Sequence, residues 1–410
     1  MHVLIVGPYH SGYLYLPAAK ELNIKVSVLT TDSGDYRIPD EARPQIEHLV
    51  VVDSFESDAL VGAAVQLHQK DPIDGVLAGF EFLVEVTSHV AHALGVKGLD
   101  PEKASLVRDK SLMRQALHDA GVRAPKFARA ASALDIEHVI EKVGFPAVVK
   151  PLKMAASIGT ARVDDPVELL AAYEDIANDD GIWGLKNGPE VLVEELLVGT
   201  EYVVDGCVTS SGDIDVFEFG EYELGPQPHF QILRFTAYRP EDLPQSDVMA
   251  AYVKEVVQAV GIVVGPFHAE IIMTKDGPVL VEIANRIPGG AIAQLGESVT
   301  GRSLVKCALA AAVGQPVPKS EAPRRRAVSI EYILAPSDFF GEAYKQLVGL
   351  EELATNPLVD RLSIEINPGI TIPPYFDDRS LLGELQYHGD SIAELEAFHQ
   401  RYMTEVHVEG

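Results

Sequence analysis

Phe267-His268-Ala269-Glu270-Ile271-Ile272-Met273-Thr274-Lys275-Asp276-Gly277-Pro278-Val279-Leu280-Val281-Glu282-Ile283-Ala284-Asn285-Arg286-Ile287-Pro288-Gly289-Gly290 is the stretch from which the rest of the chain is read. Two β-rich runs, 268–273 and 279–284, flank the turn-forming Thr274-Lys275-Asp276-Gly277-Pro278. A short Gly-containing loop between such runs predicts an antiparallel hairpin. With those five residues as the loop, Met273 faces Val279, and counting back sets Glu270 opposite Glu282. Like charges directly opposite one another destabilise a sheet. A hard cation such as Mg²⁺, held by carboxylates and a nucleotide's phosphates, gives the pair a reason. Asn285 and Arg286 then supply a neutral oxygen ligand and a fixed cation beside it. The alternative is a solvated hairpin, which the apolar residues on both strands disfavour.

The 410 residues exceed what one hydrophobic core sustains, so more than one domain is expected. With 47% hydrophobic and 23% charged residues, the composition is that of a soluble globular protein. A net charge of −28 argues against nucleic acid as a partner, because phosphate backbones bind basic surfaces. The lone basic run, Arg324-Arg325-Arg326, reads as a solvated linker edge. Cys207 and Cys307 are the only cysteines, which excludes a disulfide framework or a zinc set and points to a reducing compartment. The N-terminus lacks the flanks of a signal peptide, and no apolar stretch is long enough for a membrane span. A cytoplasmic protein with no membrane partner is expected.

Along the chain, short strands at 3–6, Lys25–Thr30, 50–53 and Gly75–Ala78 alternate with helical runs at 17–22 and 58–69. This predicts a parallel sheet with crossover helices. Gly7-Pro8-Tyr9-His10-Ser11-Gly12 matches neither a dinucleotide nor a Walker motif and reads as a plain βα turn. Residues 103–121 are helical in pattern and carry Asp109-Lys110; taken singly, Lys110 reads as a surface lysine. Lys150 ends the apolar strand Ala147-Val148-Val149-Lys150-Pro151. The small-residue loop Lys153-Met154-Ala155-Ala156-Ser157-Ile158-Gly159-Thr160 follows, of a kind whose amides cradle phosphate. Val191-Leu192-Val193-Glu194-Glu195-Leu196-Leu197 gives a strand and an apolar linker suited to an adenine ring, with Glu201 beyond it suited to ribose. Residues 202–208 and 214–219 form hairpin strands, 226–240 is loop-like and holds His229 and Arg234, and Ser246–Val260 is a helix. Another helix spans 296–313, residues 316–323 are a linker, and 327–410 are β-rich.

Taken in order, these motifs resemble the ATP-grasp superfamily. They are Asp109-Lys110, Val148-Val149-Lys150-Pro151 with its small-residue loop, Glu194-Glu195 through Glu201, and Glu270 with Glu282-Ile283-Ala284-Asn285-Arg286. The likeness covers nearly the whole chain. It is greatest to the carboxylate–amine ligase branch, particularly L-amino-acid (dipeptide) ligases. The resemblance implies a mixed α/β and α+β multidomain protein in four parts. These are an N-terminal parallel-sheet, preATP-grasp-like domain (1–97), two ATP-grasp parts (98–200, with the lid, and 201–318, with the metal site) and a β-rich C-terminal domain (319–410). It assigns Lys110 and Lys150 to the nucleotide phosphates, and Ser157 and Gly159 to the closing loop. Ala155 and Ala156 stand in that loop where the family commonly has glycine. Glu194, Glu195, Leu196 and Leu197 match the adenine linker, and Glu201 the ribose carboxylate. Glu270, Glu282 and Asn285 match ligands of Mg²⁺, for which Mn²⁺ can substitute. Arg286 and the Gly289 amide match the groups that steady the acyl phosphate and the tetrahedral intermediate. His229 lies in a segment that lines the amino-acid pocket of similar ligases.

The implied reaction uses ATP to join a small-molecule carboxylate, an L-amino acid, to an amine, a second amino acid, releasing ADP and phosphate. Homodimerisation is a further implication of the resemblance. One alternative is a biotin-carboxylase-like or purine-biosynthetic carboxylase using bicarbonate; another is a nucleotide-binding module without turnover. The full set of lysines, acids and arginine disfavours the module, since a binder has no need of Arg286. A hydrolase is disfavoured by the lack of Gly-x-Ser-x-Gly or His-Glu-x-x-His.

Overall fold

The computed structural model describes residues 1–179 and 188–409, which form two compact units. The first comprises Met1–Ala124, Val203–Phe219 and Pro244–Ala322; the second comprises Pro125–Tyr202, Gly220–Leu243 and Pro323–Gly410. No helix among the described residues is long and apolar enough to cross a membrane.

In the first unit, four parallel strands stand in the order His48–Val51, Lys25–Thr30, His2–Val6, Gly75–Ala78. The expected parallel sheet is therefore present. Its central strand is apolar on both faces because both are covered. Val3 and Ile5 enter one core with Tyr15, Leu16, Val26 and Val28, while Leu4 and Val6 enter another with Leu29, Leu60 and Ala64. The turn after the first strand is a close packing point: a Cβ on Gly12 would lie 2.2 Å from the Gly79 carbonyl oxygen. That position admits only glycine.

The same unit holds the predicted hairpin, Gly265–Thr274 paired with Gly277–Ala284, beside strand residues 203–208 and 214–219. Helix Ser246–Val260 is tied to it through the Tyr252 hydroxyl, which accepts from the Leu280 amide (2.8 Å) and donates to the Arg123 carbonyl (2.7 Å). The helix expected over 296–313 is broken in two, Ile292–Thr300 and Leu304–Ala312. Gly301 adopts a left-handed φ of 69° between them, and Ser303 caps the second helix.

The second unit contains an antiparallel sheet in the order Phe127–Ala130, Val191–Glu195, Ala147–Pro151, Ala161–Val163. Helices Ile136–Val143 and Pro166–Asn178 share its core through Val139, Leu169 and Ile176. Four further antiparallel strands of this unit run in the order Ile232–Tyr238, Ala327–Leu334, Leu381–Gly389, Val359–Ile364, and Gln346–Val348 pairs separately with His407–Glu409. The first of these strands corrects the expected loop at 226–240: Phe235 and Ala237 are buried, and Ala237 pairs with Val328. The Pro- and Gly-rich start, Gly225-Pro226-Gln227-Pro228, conceals the strand that follows it. The basic run is not merely solvated either, since Arg325 pairs with Asp360 (2.7 Å) and Arg326 with Asp242 (3.3 Å).

Candidate active site

Glu270 and Glu282 face each other across the hairpin, as the sequence predicts, but by a different route. The loop is not five residues long. Thr274 pairs with Gly277, leaving a two-residue turn of Lys275 and Asp276, and Gly277 supplies the φ of 111° that the turn needs. This shifts the register by one residue as far as Ile271 opposite Leu280; a β-bulge then restores the Glu270–Glu282 pair. The two carboxylates are largely buried on one face.

Lys110 is buried too, against the surface position expected of it alone. Asp109 caps its helix, Oδ1 accepting from the amides of Ser111 (2.9 Å) and Leu112 (3.2 Å). That cap sets Lys110 in the first helical position, and its Nζ lies 2.8 Å from Glu282 Oε2. An ammonium thus sits on one of the two paired carboxylates. The donor set consists of hard carboxylate oxygens, the kind that Mg²⁺ takes. Asn285 lies just past the strand end, and its Nδ2 donates to the carbonyls of Pro266 (2.7 Å) and Val264 (3.3 Å), which fixes its carboxamide.

Two groups beside this pair were not singled out by the sequence. His268 lies two residues before Glu270, so both point to the same face of the strand. Its Nδ1 meets the buried Asp205 carboxylate at 2.8 Å, and Nε2 lies 3.4 Å from Glu270 Oε1. Burial alone would lower the imidazole's pKa, but Asp205 and Glu270 push it up to about 9. The second group is Glu81, which takes Arg108 on one carboxylate oxygen and Arg286 Nε on the other at 2.5 Å. Burial opposes its ionisation, yet Arg286 and Arg108 hold its carboxyl below the usual range. Arg286 also donates to the Ile287 carbonyl at 3.0 Å. A Cβ on Gly289 would meet nothing within 4 Å, so packing does not demand a glycine there.

In the second unit, Lys150 and Glu194 are both buried and ion-paired at 2.5 Å across neighbouring strands. Glu195 Oε1 accepts from the Lys126 amide (2.8 Å), and the Leu196 amide donates to the Pro146 carbonyl (3.3 Å). Part of the expected adenine linker is therefore already engaged within the sheet. Leu197 and Glu201 are half-buried. In the loop after Lys150, Ala156 and Ser157 adopt left-handed φ values of 58° and 55°, and Gly159 one of 68°. Two consecutive non-glycine residues in that region carry backbone strain, which clusters at ligand-binding segments. The His229 ring stacks on Phe376 at 4.0 Å and 5°, and its backbone bridges to Ala161 just beyond the loop. Burial lowers its pKa, with Asp377 opposing.

The ATP-grasp domain family matches residues 143–294, and the ATP-grasp N-terminal domain family matches residues 16–97. The chain therefore carries an ATP-grasp domain preceded by an ATP-grasp N-terminal domain. Proteins of this family use ATP. The chain is 30% identical to dapdiamide A synthase of Enterobacter agglomerans, over 65% of the chain and 64% of the synthase. It is 24% identical to the L-arginine-specific L-amino acid ligase of Bacillus subtilis, over 64% of the chain and 63% of that enzyme. Both matches span just under two thirds of the relative's length. Its fold resembles the crystal structure of the L-amino acid ligase from Bacillus licheniformis, with a TM-score of 0.81 and 24% identity, covering 100% of this chain and 98% of that one.

Proposed function

We propose that this chain is an ATP-grasp ligase that joins the carboxylate of one L-amino acid to the amine of another through an acyl phosphate, releasing ADP and phosphate. The observation that carries this is the Glu270–Glu282 pair, already holding the Lys110 ammonium and followed within four residues by Arg286. The similarity to the L-arginine-specific L-amino acid ligase of Bacillus subtilis supports this reading. The four-domain division at 1–97, 98–200, 201–318 and 319–410, a cytoplasmic setting and a homodimer belong to the same proposal. Cys207 and Cys307, both buried free thiols, fit a reducing compartment.

In this scheme Glu270, Glu282 and Asn285 hold Mg²⁺, or Mn²⁺ in its place. When bound, the ion neutralises triphosphate charge and polarises the transferring phosphoryl group. Lys110 and Lys150 give up their carboxylate partners to hold the nucleotide phosphates. Their fixed charge stabilises the loosened phosphoryl group, in a reaction where positioning and electrostatics carry the rate. Glu194 to Leu197 and Glu201 bind adenine and ribose, and Ser157 and Gly159 belong to the loop that keeps water from a hydrolysable acyl phosphate. The substrate carboxylate attacks the γ-phosphorus; the incoming amine then attacks the acyl carbon and phosphate leaves. Arg286 and the Gly289 amide meet the oxyanion, and His229 lines the amino-acid pocket.

The test is ADP and phosphate release with ATP, Mg²⁺ and all pairs of amino acids, followed by mass spectrometry of the products. A dipeptide formed in step with ADP is expected. ADP release that needs bicarbonate and no amino acid would replace this function with a carboxylase.

A further inference from the structure

The register of the hairpin leaves one question open: what holds the bulge that makes the metal pair. From Thr274–Gly277 to Ile271–Leu280 the strands pair in one register. One more step in that register would set Glu270 opposite Val281 and turn Glu282 to the other face, because a one-residue slip reverses every side chain. The extra residue brings Glu282 back. A bulge also leaves backbone groups of the bulged residue outside the ladder, and here the Val281 carbonyl is met by a charge. Arg114 Nη2 donates to it at 2.5 Å from a side chain that is 0% exposed. Arg114 stands four residues after Lys110 on helix Lys110–Asp119, and residues so spaced share one helix face. That face touches the hairpin twice, with Lys110 on the Glu282 carboxylate and Arg114 on the backbone beside it.

We propose that Arg114 is a positioning residue, whose buried guanidinium clamps the Val281 bulge and so keeps Glu282 on the face of Glu270. This rests on the assignment of Glu270 and Glu282 to the metal. A fully buried arginine that donates to a main-chain carbonyl has a planar, fixed fork that suits holding one backbone geometry. Its effect reaches the metal through the direction of Glu282, as outer groups tune a site by orienting its ligands.

Mn²⁺ is titrated into the full-length protein with a non-hydrolysable ATP analogue, and the bound ion is followed by electron paramagnetic resonance. Wild type is compared with Arg114→Met, Arg114→Lys and Glu282→Gln, each with its thermal melt. Arg114→Met is expected to weaken Mn²⁺ binding about 10–100-fold, the range typical of lost outer-shell partners, and Arg114→Lys to lie between it and wild type. A folded Arg114→Met with wild-type Mn²⁺ affinity overturns the proposal. Should Arg114→Met not fold, Arg114→Lys decides: weakened Mn²⁺ binding with a wild-type melt supports the clamp, and wild-type binding overturns it. Glu282→Gln separates the two layers. If it leaves Mn²⁺ binding unchanged, the metal assignment fails, and the role of Arg114 fails with it. If Glu282→Gln weakens binding while the Arg114 variants do not, the clamp alone is wrong.

Discussion

Arg286 reaches Glu81 across 205 residues of sequence, its Nε donating to Oε2 at 2.5 Å while Arg108 holds the other oxygen. One buried carboxylate thus fixes two guanidiniums, one of them the group assigned to the acyl transfer. Replacing Glu81 by Gln takes a shared carboxylate from both cations, and breaking a buried pair costs about 3–5 kcal/mol. Denaturant unfolding at pH 7 should show a loss of that size. The native carboxyl lies below its usual range, so its stabilisation is present above the unfolded value and fades as pH falls through the native one. The gap between wild type and Glu81→Gln should therefore narrow in acid; a gap independent of pH would mean that Glu81 is not ionised in the fold.

Arg286→Ala separates nucleotide binding from acyl transfer. ATP affinity, measured by calorimetry, should stay within a few-fold of wild type. Product formation should fall by about 10²–10³, the usual cost of one oxyanion donor. A collapse of ATP affinity would move Arg286 into the nucleotide site.

The Lys150–Glu194 pair is buried at 2.5 Å, so each partner serves the fold as well as any ligand. Lys150→Met alone should lower the melt, because it breaks the buried ion pair with Glu194. Adding Glu194→Gln should recover part of that loss. ATP affinity should stay weakened at least tenfold in the double variant. Recovery of both would show that Lys150 is structural only.

His399 provides a pH test away from the reaction. It lies 2.9 Å from Glu331, which also accepts from the Tyr387 hydroxyl at 2.6 Å. Burial lowers its pKa, but Glu331 raises it further, and the net shift is upward. Its stabilisation is thus complete below the unfolded value near 6.5 and is lost as pH rises through the native value. His399→Gln should cost about 1.5–3 kcal/mol at pH 6, as for a lost hydrogen bond to a charged group, and less at pH 9. Equal losses in urea titrations at both would contradict a charged native His399.

Motif order carried more of this protein than any single residue. Lys110 alone reads as a surface lysine; its burial follows from the Asp109 cap and the distant Glu282. The Glu270–Glu282 pairing is legible because two departures cancel: the turn is shorter than the Gly-Pro segment suggests, and the Val281 bulge returns the lost residue. Periodicity carries no mark of such a bulge. Strand 232–238 is hidden behind prolines, and Glu81 and His268 gain meaning only from partners 205 and 63 residues away. Contacts that long are fixed by topology, which local pattern does not encode.

The central claim is that a carboxylate oxygen attacks the γ-phosphorus of ATP. It is tested most directly by supplying an amino-acid pair that supports turnover, with the donor carboxylate labelled with ¹⁸O, and reading the products by ³¹P nuclear magnetic resonance. An acyl-phosphate route transfers one ¹⁸O to the released inorganic phosphate, with ADP as the other product. Label in AMP, or phosphate without label, would contradict it.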